Sequence, residues 1–205
     1  MVGSDIPTVT AAGINAFWLG PSPKDPEAAK QASGRWYAAD DRLDDDIRRT
    51  FGTAMDQARA GVMSGWRETA EGALALVILL DQFTRNAYRG TARAFSGDAM
   101  AREVATGALD KGLDHVLPIP GRLLLYHPFE HSEDLEDQRR SVALCSGLAA
   151  ESPSVWREYI DSFLRYAHAH LEVIERFGRF PHRNEILGRE STPAEQDWLS
   201  THGGF

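Results

Sequence analysis

Residues Ala73 to Arg93 read ALALVILLDQFTRNAYRGTAR, and the reading of this stretch decides the fold. Ala73–Leu80 is the most apolar run of the chain. At Asp81 it turns polar, and Asp81, Gln82, Arg85, Asn86, Arg89 and Arg93 follow within thirteen positions. An apolar run this short fits a buried strand or a buried helix, and periodicity does not separate them. Context does. No other segment alternates apolar and polar residues in a way that would let a strand pair, and Leu and Ala outnumber β-branched residues in the run. The stretch therefore predicts a helix that starts near Thr69 and is buried on most sides, with a polar end from Asp81 to Asn86.

Outward from this helix the chain repeats one grammar of caps and breakers. Thr8 or Thr10 caps a helix through Trp18, with Gly20 past its end. The proline-rich PSPKDPEAAKQ (21–31) reads as a linker, and Trp36 and Tyr37 after it pack on the body. Asp44 reads as the N-cap of a helix through Ala60 whose stripe is Ile47, Phe51, Ala54, Met55 and Ala58. Downstream, Thr91 or Ser96 begins a helix through Lys111. Leu123, Leu124 and Leu125 open another, which Pro128 breaks or kinks. Ser132 caps a helix through Ala149, and Ser152-Pro153 starts a long one through Phe177 that Gly178 ends. Thr192-Pro193-Ala194-Glu195 is a capping box with proline at the first helical position, so a short helix through Leu199 follows. The fold class is all-α: eight or nine helices in an αα-superhelix or bundle, forming one domain over residues 1–205. The tetratricopeptide period is not legible.

Bulk properties narrow the function. The chain has 205 residues with a formal net charge of −8, so it lacks the basic footprint that nucleic-acid binding requires. The sole cysteine, Cys145, sits among Val142, Ala143 and Leu144 and reads as a small core residue, not a nucleophile. No apolar run reaches the 18–20 residues or so of a membrane span, and no signal peptide is legible; the expectation is a cytoplasmic protein without cofactor or metal.

Three polar segments stand at predicted helix breaks: Asp81–Asn86, Pro128–Glu133 and Phe177–Asn184. Each mixes aromatic bodies with Arg, Asn, His or acids. Buried arginines such as Arg85 and Arg183 need acids such as Asp81, Glu130 or Glu133. The candidate ligand-binding set is Asp81, Gln82, Arg85, Asn86, Glu130, His131, Glu133, His170, His182, Arg183, Asn184 and Arg189. The partner would be a small anionic molecule or a peptide end, met by guanidinium and imidazole groups. Two other readings stay open: acid–base or metal-assisted hydrolysis using Glu130, His131 and His182, and a salt-bridge network that only locks the helices. His127-Pro128-Phe129-Glu130-His131 matches the inverted zinc-protease pattern H-x-x-E-H, but the proline between the histidines argues against that reading. His170 shares a face with Ile174 and Phe177 and points inward, whereas His168 with Glu172 forms a solvated pair.

The segments LVILLDQFTRNAYRGTARAF, PFEHSEDLEDQRRSV and HLEVIERFGRFPHRNEILGRESTPAEQDWL, with the early FWLG, resemble the bacterial domain-of-unknown-function family 924. The resemblance spans nearly the whole chain and implies an all-α fold similar to tetratricopeptide-like superhelices. Its polar positions fall on the candidate set and, in addition, on Asp98 and Gln138. The chain departs from the pattern at His127, where the family is apolar, which weakens the zinc reading further. The resemblance implies no reaction.

Overall fold

The computed structural model describes residues 9–20, 25–36 and 40–203. Thr8, Tyr37 and the first part of the proline-rich stretch lie outside them. The described residues form nine helices and no strand. In order these are α1 (Ala11–Leu19), α2 (Pro26–Ser33), α3 (Asp41–Arg59), α4 (70–87), α5 (Asp98–Asp110), α6 (Ile119–Glu130), α7 (Leu135–Glu151), α8 (Arg157–Phe177) and α9 (Pro193–His202), with short 3-10 turns between several of them.

The central helix is α4. Thr69 caps it by accepting the N–H of Gly72, and residues 73–80 are all at most 3% exposed. Phe83, on the same helix, is the hub of an aromatic cluster: its ring lies 4.7 Å from Phe51 on α3 and 5.2 Å and 5.7 Å from Trp18 and Phe17 on α1. Trp36 stacks on Trp18 and donates its indole N–H to the Trp18 carbonyl. Burying each such large side chain contributes about 1.5–3 kcal/mol, so the apolar run and its aromatic neighbours account for the position of α1, α3 and α5 around α4. Helices α6, α7 and α8 pack in succession beside them. A second, smaller apolar cluster of Val173, Ile174, Phe180 and Trp198 seats the last segment on α8.

Several local expectations are corrected. Residues of the presumed linker form α2, because Asp25 accepts the Glu27 N–H and Pro26 stands at a first helical position, where proline starts a helix. Asp40, not Asp44, caps α3; Asp44 is instead drawn into the interior by Asn86 and Arg89. Asp134, not Ser132, caps α7, while Ser132 Oγ accepts the Asp134 N–H just before it. A 3-10 turn (Ala92–Phe95) precedes α5, which begins at Asp98 and not at Thr91 or Ser96. Ser152-Pro153 leads into another (Ser154–Trp156), so α8 begins at Arg157. Pro128 does not break α6; it lies in the final turn, so its missing N–H costs one bond of the ladder and the helix ends two residues on, at Glu130.

Candidate binding site

The site is built on a departure from α-helical geometry. Residues Ile78–Phe83 of α4 form a π-helical segment, so Asp81–Asn86 is not the end of a helix: it begins within this wider turn and runs into the α-helical turn Thr84–Ala87. The wider turn loosens the backbone ladder, and side chains take up the slack. Thr84 Oγ1 donates to the Leu80 carbonyl at 2.6 Å, and Arg85 Nη1 donates to the Asp81 carbonyl at 3.0 Å. Gly97 brings the start of α5 against this same turn. A Cβ on Gly97 would stand 2.1 Å from the Leu80 carbonyl oxygen, so only glycine permits the approach. The next residue, Asp98, then meets Arg85 through two parallel bonds of 2.9 Å and 3.0 Å.

Asp81 is fully buried and is the node of the cluster. His131, just past the end of α6, donates Nδ1–H to Asp81 Oδ1 at 2.8 Å. Gln82 Nε2 donates to Asp81 Oδ2 at 2.5 Å, and Arg85 Nη1 lies 2.8 Å from Asp81 Oδ1. Burial opposes the charge on Asp81, but Arg85 and then His131 outweigh it and hold the carboxyl well below the usual carboxylate range. For His131, burial and then Arg85 dominate, pushing the imidazole down to about 3 and so keeping it neutral.

The tail joins through Arg183. Its Nη1 donates to the His131 carbonyl at 3.0 Å and lies 3.9 Å from Asp98. The guanidinium is held between two rings, 4.8 Å from Phe95 and 4.3 Å from Phe180. Burial, then Arg85, lowers its pKa to about 10. His182 sits with its ring 5.6 Å from Phe180 and is pushed down to about 4 by burial and Arg183. On the inner side, Glu130 is 3.5 Å from His170 Nδ1, and burial, then Asp81, raises its carboxyl to about 8. His170 donates Nδ1–H to the Tyr166 carbonyl and is buried.

Not every candidate enters this cluster. Asn86 turns the other way and donates to Asp44 at 2.8 Å. Glu133, Asn184 and Arg189 form a separate anchor: Glu133 accepts two bonds from Arg189 and one from the Phe180 N–H, and Asn184 donates to Ser191 Oγ. The acid that partners Arg85 is Asp98 together with Asp81, not Glu130 or Glu133. Asp98 carries no local motif; only its place in the family pattern pointed to it. Among the described residues no group of three or more His, Cys, Asp or Glu is arranged to hold a metal ion. His127 spends its Nδ1–H on the Leu123 carbonyl. Cys145 is buried, with its thiol pushed up to about 12 by burial and then Glu130, as suits a core residue. A surface cleft of about 560 Å³ bordered by Arg176, Arg179, Thr192 and Glu195 lies off the Asp81 cluster.

The model of the family described as bacterial protein of unknown function (DUF924) matches residues 14–203. The chain belongs to this family. A solved structure of a protein of unknown function from Agrobacterium tumefaciens is similar to it, with 36% sequence identity and a TM-score of 0.77, over 92% of this chain and 96% of that one. No curated protein matches the chain. Family membership therefore fixes the fold that brings Asp81, Asp98, His131 and Arg183 together, while the chemistry has to be read from those residues. No helix among the described residues of this DUF924 protein is long and apolar enough to cross a membrane.

Proposed function

We propose that the chain is a binding domain whose contact point is the edge of the Asp81 cluster formed by His131 and Arg183. The observation that supports this reading is the state of His131. Asp81 takes its Nδ1–H, so Nε2 presents a lone pair, and Nε2 takes no hydrogen bond among the described residues while the side chain keeps 13% of its surface exposed. Arg183, which holds the His131 backbone, supplies the neighbouring positive charge. The matching ligand is a small molecule or peptide end that offers an O–H or N–H donor beside one anionic group. Two carboxylates, Asp81 and Asp98, already balance Arg85 and Arg183, so a singly charged group suits the site better than a dianion. Successive packing of α6, α7 and α8 accords with the αα-superhelical, tetratricopeptide-like class that the family resemblance implies. The test is a thermal-shift series with glycolate, inorganic phosphate and triglycine on wild type, H131N and R183Q, each read against its own ligand-free midpoint. A rise confined to wild type supports the reading. If no compound stabilises wild type more than both variants, the reading is wrong.

A second reading, acid–base catalysis, is favoured by Glu130. Its carboxyl keeps a proton at neutral pH and lies 3.5 Å from His170, so it is placed to act as a general acid, while Asp81 orients neutral His131 as a hydrogen-bond acceptor. Hydrolysis of generic esters or phosphomonoesters that disappears in E130Q, with ligand-induced stabilisation retained, would favour it; equal rates in both proteins would exclude it.

A further inference from the structure

We propose a second ligand site, for a monocarboxylate with a short aliphatic body, in the cleft between the end of α5, α6 and α7. The cleft encloses about 440 Å³, within the range of small-molecule sites. One wall is apolar, formed by Leu109, Leu144 and Leu148; two cations, Arg122 and Arg140, line it as well. The two arginines differ in how they are engaged. Arg122 is saturated: it donates to Tyr126 Oη and Asp114, and to Glu151 through Nη1. Arg140 lies over the Phe129 ring at 4.6 Å and makes one long 3.5 Å bond to Thr106 Oγ1, with no acidic partner among the described residues.

A cation that is only partly exposed and has no carboxylate, beside an apolar wall, is complementary to an amphipathic carboxylate. Glu151 reports on the same chemistry. Its carboxylate, 49% exposed, sits on Arg122 at the edge of the cleft, which shows that a carboxylate fits there beside a guanidinium. Arg122 is only 13% exposed but Glu151 is half in solvent, so its carboxylate opposes a ligand carboxylate without sealing the cleft. Asp110 and Asp114 also border the cleft. With Glu151 they make three acids against two arginines, a formal charge of −1, so only Arg140, which has no acidic partner among the described residues, can take a ligand carboxylate, and dicarboxylates and phosphates are disfavoured.

The test is a titration of isotope-labelled full-length protein followed by amide chemical shifts, with sodium hexanoate, 1-hexanol and succinate as probes. Hexanoate should give saturable shifts centred on residues 140–151, about tenfold or more tighter than hexanol, and R140Q should lose about that factor. E151Q should bind hexanoate about two- to fivefold more tightly, because the competing carboxylate is gone. Hexanol binding as tightly as hexanoate, succinate binding more tightly, or shifts that do not saturate or fall elsewhere would overturn the proposal, as would unchanged affinity in folded R140Q. Should R140Q fail to fold, the wild-type comparison of the three probes and the direction of the E151Q effect decide the matter.

Discussion

Asp81 Oδ1 and His131 Nδ1 are 2.8 Å apart although fifty residues separate them in sequence, and this contact ties the π-helical turn of α4 to the end of α6. Because Asp81 is fully buried and shares Arg85 with Asp98, neutralising it leaves that guanidinium, whose side chain is only 20% exposed, with Asp98 as its one acid and takes the charge from the acceptor of His131 and Gln82. D81N is therefore expected to lose about 1–3 kcal/mol of unfolding free energy, the range for weakening buried hydrogen bonds at one acceptor. Removing His131 leaves Arg85 paired and should cost less. Urea unfolding of D81N, H131A and the double variant checks this, and a D81N loss below that of H131A would contradict the assignment of Asp81 as the node.

Two glycines in helical surroundings should respond in opposite directions to the same substitution. A methyl group on Gly97 would strike the Leu80 carbonyl, so G97A must push α5 off α4 and separate Asp98 from Arg85. A loss of several kcal/mol is expected, in the range of severe core strain. Gly52 lies inside α3, where an added methyl group would meet nothing within 4 Å, and G52A should add roughly 0.5–1 kcal/mol through helix propensity. Thermal unfolding of the pair reads both signs in one experiment.

Glu130 makes stability depend on pH above neutrality. Its folded pKa of about 8 lies above its ordinary value of 4.5, so the native state binds the proton more tightly. That stabilisation is fully present below 4.5 and is lost as pH rises towards about 8. His131 and His182 act oppositely: depressed to about 3 and about 4 from 6.5, they withdraw stability as pH falls below 6.5. Between pH 7 and 8 the Glu130 effect stands largely alone and amounts to roughly 1 kcal/mol. Wild type should lose stability across this interval while E130Q stays flat; parallel slopes would show that Glu130 does not titrate there.

The segment after Gly178 is predicted to depend on Glu133. This carboxylate binds the Phe180 N–H at 2.8 Å and Arg189 at 2.7 Å and 2.9 Å, and the Arg189 bond holds its pKa down against the opposing effect of partial burial. E133A should cost about 1–3 kcal/mol by leaving the amide and the guanidinium unpaired. Hydrogen exchange should quicken across residues 180–190 with little change in α4. Equal quickening in both regions would mean that the segment is not a separate anchor.

The helical class and the central position of α4 were legible because an eight-residue apolar run with no alternating partner leaves a helix as the consistent solution. The capping box at Thr192 was legible because its two hydrogen bonds are local. The start of α3 was not, since Asp40 and Asp44 offer the same cap chemistry and the choice rests on Asn86 and Arg89 taking Asp44, more than forty residues away. The π-helical turn has no composition of its own, and the glycine packed against it, Gly97, is a long-range neighbour that no local pattern announces. Of the site, the meeting of Asp81, His131 and Arg183 follows from their polarity at three chain positions, but Asp98 lies in the first turn of an ordinary-looking helix, where the family resemblance marked it and no local feature foretold its pairing with Arg85.

Tail anchoring also bears on the order in which the protein is made. Glu133 leaves the ribosome 56 residues before Arg189, the cation that pairs with it. For that interval the growing chain holds an acid whose cation has not yet been synthesised, so the helices can dock on apolar surface first while this corner stays hydrated. Closure of the corner is then a late, charge-driven step, set by arrival of the segment after α8 and not by collapse around α4.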